Sequence, residues 1–132
     1  MRKQVLFALP ALFSASLAYA GANKIDSFTP VNGENATADG MAILQYHPGQ
    51  DESSVLIILN GFAPNTSYDF QLDSPTQGAV AAYDVLRSDE FGNVHLKFKF
   101  TGNFSDADIL VYNSADTYFT EDELRAIGSQ QQ

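Results

Sequence analysis

The chain has 132 residues, no cysteine, no tryptophan and a formal charge of −9. Its length leaves no room for two ordinary domains. The missing cysteine excludes a disulfide framework, a zinc knuckle, an iron–sulfur cluster and a thiol nucleophile. With 45% hydrophobic and 17% charged residues, the composition is that of a folding chain, not a disordered one.

The first twenty residues read as an address. Arg2 and Lys3 form a positive start, Val5 to Ala18 is almost wholly apolar, and Ala18-Tyr19-Ala20 follows the small-x-small rule. Residues 1–20 are therefore expected to be a secretory signal peptide, cut between Ala20 and Gly21. The apolar run is about 14 residues, short of the roughly 20 that span a bilayer. Without Arg2 and Lys3, residues 21–132 keep five basic against sixteen acidic residues, a formal charge of −11. Such a charge repels phosphates, so neither nucleic acid nor an anionic membrane is an expected partner. No other stretch is long and apolar enough to span a membrane. A small exported domain without cysteine points to a bacterial periplasmic or extracellular protein, since small secreted animal domains rely on disulfides. The sequons at Asn35, Asn65 and Asn103 then read as turn residues.

The rest reads as strands. Ile25 to Thr29 supplies a short first strand before Pro30 and the Asn32-Gly33 turn. Met41 to His47 alternates weakly and ends at Pro48-Gly49. Val55 to Leu59 is a continuous apolar run with three β-branched residues, expected to be a central strand covered on both faces. Thr66 to Leu72 alternates, with Tyr68, Phe70 and Leu72 on one face and Ser67, Asp69 and Gln71 on the other. Ala79 to Leu86 is a further candidate. Gly92 to Phe100 is the clearest strand, its Val94, Leu96, Phe98 and Phe100 alternating with His95, Lys97 and Lys99. Ala107 to Tyr112 is the last strand expected. Near the end, Thr120-Glu121-Asp122-Glu123 has the form of a capping box, with Leu124 and Ile127 on one face and Gly128 as a stop. This predicts a short C-terminal helix. The expected fold is all-β: a six- to seven-stranded antiparallel β-sandwich, immunoglobulin-like or jelly-roll-like, with a small β-barrel as the alternative. One domain would occupy residues 21–127, with 128–132 a flexible tail.

The stretch Phe62-Ala63-Pro64-Asn65-Thr66-Ser67-Tyr68 resembles the loop-to-strand corner of fibronectin type III and related immunoglobulin-like sandwiches, exported bacterial ones included. Phe62, Pro64, Thr66 and Tyr68 carry the resemblance. It implies structural roles for Pro64 and Tyr68, the ring packing in the core while the hydroxyl ties down the nearby connection. The corner falls mid-chain, earlier than in a strict fibronectin topology. Gly40 to Leu44 through Gly61 to Pro64 also resembles sandwiches of the copper–zinc superoxide dismutase and chordin-repeat type. The strand that carries histidines there reads Tyr68-Asp69-Phe70-Gln71-Leu72 here, so no redox metal site of that kind is expected.

Residues suited to chemistry are few. His47 and His95 stand at no ligand-like spacing and are expected at the surface. There is no Gly-x-Ser-x-Gly elbow, Walker loop, dinucleotide fingerprint or His-Glu-x-x-His. Acids gather in segments expected as loops, and Asp89, Glu90, Asp106 and Asp108 are candidate calcium ligands, calcium being the one cofactor considered. Phe91, Phe104 and Tyr118 also fall in such segments and are candidate ligand-binding rings, or lids over the ends of the sandwich. The sequence therefore leads to an exported, non-catalytic module that binds, adheres or builds, its partner a protein or a surface glycan. A calcium-dependent or carbohydrate-binding module and a small periplasmic hydrolase using loop carboxylates are the alternatives.

Overall fold

The computed structural model describes residues 22–113 and 123–130. These form nine strands: β1 (Ala22–Ile25), β2 (Phe28–Pro30), β3 (Asp39–His47), β4 (Glu52–Asn60), β5 (Ser67–Ser74), β6 (Gly78–Arg87), β7 (Val94–Thr101), β8 (Asp108–Asn113) and β9 (Leu124–Gly128). They make two antiparallel sheets, β1-β3-β4-β7 and, among the described residues, β2-β9-β8-β5-β6. The all-β sandwich is thus observed, and neither sheet closes into a barrel.

The expected first strand is two strands. After Ile25 the chain leaves β3 and joins β9 from Phe28, so Asp26 and Ser27 carry it from one sheet to the other. The Phe28 amide donates to Asp39 Oδ1 at 2.8 Å and fixes the crossing. Asn32 and Gly33 both take positive φ (52° and 86°), as the sequence pair suggests.

The core lies between the sheets. From the first sheet come Ile25, Ala42, Leu44, Val55, Ile57 and Leu59, and from the second Phe70, Leu72, Ile109 and Val111, all buried. Phe70 bridges the layers edge-to-face, its ring centroid 6.1 Å from Phe98 and 5.9 Å from Phe100. Side chains of Val/Leu/Ile/Phe size contribute roughly 1.5–3 kcal/mol each when fully buried. Aliphatic and aromatic packing of this kind therefore carries a chain that has no disulfide.

Three expectations are corrected. The C-terminal segment Leu124–Gly128 is a strand, not a helix. It lies between β2 and β8, pairs with both, and buries Ala126 completely. A helix of so few residues holds poorly by itself, whereas a central strand gains ladder bonds on both sides. A Cβ on Gly128 would come within 2.7 Å of the Phe28 ring, so this glycine makes room for a neighbour and does not end a helix. Thr120 to Asp122 lie outside the described residues. Gly128 belongs to β9 and the Gln130 amide donates to Asp108 Oδ1 at 2.9 Å, so residues 128–130, expected to belong to a tail, are held against β8. Asp69, expected to face outward, is 2% exposed. It sits where the β5–β6 register shifts between Tyr68 and Phe70, a bulge that breaks the simple alternation.

Candidate functional site

The acidic candidates do not converge. Asp89 and Glu90 precede β7 while Asp106 and Asp108 follow it, so eight strand residues, about 25 Å, separate the pairs. Their described oxygens serve the backbone and nearby hydroxyls. Asp89 Oδ1 accepts from the amides of Phe91 (2.8 Å) and Asn93 (2.9 Å). Asp106 accepts from the Ser74 hydroxyl (2.6 Å) and the Thr76 hydroxyl (2.8 Å), tying the β5–β6 turn to the β7–β8 loop. No group of three or more His, Asp or Glu placed to hold a metal occurs among the described residues.

Phe104 is a lid. It is 7% exposed, its ring packs 6.1 Å from Phe100, and its amide donates to the buried Ser53 hydroxyl at 2.8 Å. Phe91 is the opposite case, 75% exposed on a turn that does not give. Asp89 clamps that turn, and a Cβ on Gly92 (φ +80°) would meet the Phe62 carbonyl oxygen at 2.1 Å. Tyr118, Ala20 and Gly21 lie outside the described residues.

The corner around Pro64 and Tyr68 is closely tied. Tyr68 is 1% exposed and meets Phe62 edge-to-face at 5.5 Å. Its hydroxyl accepts from the Ala63 amide (3.2 Å) and donates to Glu34 Oε2 (3.1 Å). Burial, helped by the Glu34 charge, pushes the phenol up to about 12. Ser88 completes the corner, its hydroxyl donating to the Ala63 carbonyl and accepting from the Thr66 amide. Ser53 and Ser88 are buried polar pins that sequence alone does not mark, because nothing in their neighbours sets them apart from the chain's other serines. Asn35 and Asn103 use their side-chain oxygens on Thr37 and Ser105 as turn braces, as read from the sequence.

The two histidines share a face without sharing a site. His47, on β3, has Nε2 2.9 Å from Ser54 Oγ. His95, on β7, is exposed opposite Ile58. Both belong to the outer face of the four-stranded sheet, and there the structure departs from a further expectation, that of coverage on both faces. Alternation along β4 buries Ser53, Val55, Ile57 and Leu59 inward, but leaves Ser54, Leu56 and Ile58 only half-buried outward. Among the described residues the central strand is covered on one face.

That outer face is ordered in columns. Across the sheet the register runs Lys24, Ile43, Leu56, Lys97, so an aliphatic pair lies between two lysines. One step along, Met41 and Ile58 stand beside His95; one step the other way, Gln45 and Ser54 stand beside Lys99. The lysine columns lie three strand spacings apart, about 14 Å. Two shallow depressions flank Ile43. One, of ≈ 320 Å³, is lined by Ala22, Asn23, Lys24, Met41 and Ile43; the other, of ≈ 190 Å³, by Ile43, Gln45, Ser54, Leu56 and Lys97. Lys24, Lys97 and Lys99, the three lysines after residue 20, therefore share one face of an acidic chain. Lys24 pairs with Asp26 (3.4 Å) and Lys99 with Glu52 (3.8 Å), while Lys97 has no ion-pair partner among the described residues. Such exposed pairs hold their lysines weakly and leave them available.

Fold and site together define an open two-sheet β-sandwich with a lysine-flanked aliphatic face. No family model matches the chain, and no curated protein matches it either.

Proposed function

We propose that this chain is an exported, non-catalytic module of the bacterial envelope or extracellular space, and that it works by binding through the outer face of its four-stranded sheet. One observation carries the reading: Met41, Ile43, Leu56 and Ile58 form an aliphatic strip on that face, flanked by Lys24 and Lys97, in a chain of formal charge −9. Partly exposed aliphatic side chains gain when a partner removes their remaining surface from water, at roughly 25 cal/mol per Å². Lysines beside them orient and select an anionic occupant. Export rests on the Arg2 to Ala20 pattern. Binding without catalysis rests on the scatter of the described acids and histidines, since among the described residues no titratable cluster lines either depression.

Calorimetry with dodecanoate, used below its micelle concentration as a simple amphiphilic anion, tests the reading. Saturable binding is expected, weakened at least tenfold in Lys24→Glu/Lys97→Glu and reduced by salt. Equal heats for wild type and variant, or no saturable heat at all, would contradict it. Mass spectrometry of the secreted product is expected to begin at Gly21, and a product starting at Met1 would overturn export.

A further inference from the structure

The outer face has a counterpart on the same molecule. Phe91 and Tyr83 are the large hydrophobic side chains left well exposed among the described residues. Phe91 projects from the tip of the β6–β7 turn, directly after the exposed carboxylates Asp89 and Glu90. An aromatic ring beside two acids is the chemical complement of aliphatic depressions beside two lysines. We propose that the outer face of one copy takes the Asp89-Glu90-Phe91 turn of a second copy. Phe91 seats against Ile43 and Leu56, and the turn carboxylates approach Lys24 and Lys97.

The geometry makes the contact intermolecular. The turn precedes the first residue of β7 and is locked by five hydrogen bonds around Asp89. Gly92 presses on the Phe62 backbone, so the tip cannot fold back over its own sheet. A locked turn also forfeits little entropy on docking, which favours binding by a short segment. Tip and face are different surfaces, so the contact is heterologous: every docked copy still presents a free tip or a free face, and growth proceeds into an open chain or a ring. The charges decide the partner's sign. The molecule as a whole repels its copies at −9, but these two patches are of opposite sign, and close attraction acts within the roughly 8–10 Å Debye length while the wider repulsion is screened.

This inference rests on the outer face being the binding surface, and the test separates the two. Sedimentation of the folded wild type from micromolar to millimolar concentration is expected to show concentration-dependent association beyond a dimer. Phe91→Ala, with an intact face, and Lys24→Glu/Lys97→Glu, with an intact tip, are each expected to sediment as monomers. Mixed one to one, they retain one compatible contact and are expected to form a capped heterodimer. Arg87→Glu, on the other sheet, controls for added negative charge and is expected to associate as wild type does. A monomeric wild type at millimolar concentration, or Phe91→Ala associating like wild type, overturns the inference. If that occurs while dodecanoate still binds the face, the self-docking is wrong and the binding surface stands. Binding of anionic phospholipid vesicles or of an acidic peptide by a monomeric wild type would assign the face to another occupant, and would equally overturn self-docking.

Discussion

Leu56 and Ile57 are neighbours on β4, nearly identical in chemistry, and point to opposite sides of one sheet. Ile57 is wholly enclosed between the sheets, whereas Leu56 stands half-buried beside Lys97. Strand alternation alone does not produce this, because a one-sided sheet in water normally carries polar residues outward. β7 obeys that rule with His95, Lys97 and Lys99. β3 and β4 break it with Met41, Ile43, Leu56 and Ile58. β4 is thus written for burial on both faces and, among the described residues, covered on one, and it is this contrast that the proposed binding face rests on.

The sharpest way to break this contrast is to truncate both neighbours. Ile57→Ala is expected to cost about 2–5 kcal/mol in chemical denaturation, since it opens a cavity in a closed core. Leu56→Ala is expected to cost less than about 1 kcal/mol while weakening dodecanoate binding. Equal losses would mean that the outer face is already core. Tyr68→Phe tests the inner side's polar tie and should cost about 1 kcal/mol, the usual worth of such a hydrogen bond. It also carries a pH signature. The phenol stands at about 12 folded against 10.0 free, so the unfolded chain loses this proton first. The tyrosine's contribution is fully present below pH 10 and is lost as pH rises toward 12. Denaturation midpoints of wild type are expected to fall faster over that window than those of Tyr68→Phe, and parallel curves would contradict the assignment.

Smaller effects belong to the surface. Lys97→Glu is expected to change stability by no more than about 0.5 kcal/mol, with its consequence confined to binding. Millimolar calcium is expected to leave the thermal midpoint unmoved, because Asp89 and Asp106 stand at opposite ends of β7. A rise of several degrees would show a calcium site that these positions do not suggest.

Much of the fold is legible from alternation: β3, β5, β7 and β8 fall where the pattern puts them. β9 is not, because its five residues carry a local helix signal that central pairing overrides. The split of β1 from β2 is hidden for a related reason, since a sheet change needs only Asp26 and Ser27 and leaves no mark in periodicity. The Tyr68 corner is suggested only by the resemblance that Phe62, Pro64, Thr66 and Tyr68 carry, not by alternation. The candidate site is half legible. The lysine face of β7 stands out in sequence, but its continuation through Leu56, Ile43 and Lys24 depends on register across four strands. The acids mislead because proximity in sequence says nothing about which end of a strand they occupy.

Methyl-resolved NMR of the folded chain during dodecanoate titration addresses the binding face itself. Shifts are expected at Met41, Ile43, Leu56 and Ile58, with Val55, Ile57 and Leu59 unmoved on the other side of the same strands. Shifts in the inner set, or none in the outer set, would contradict the assignment of this face as the binding surface.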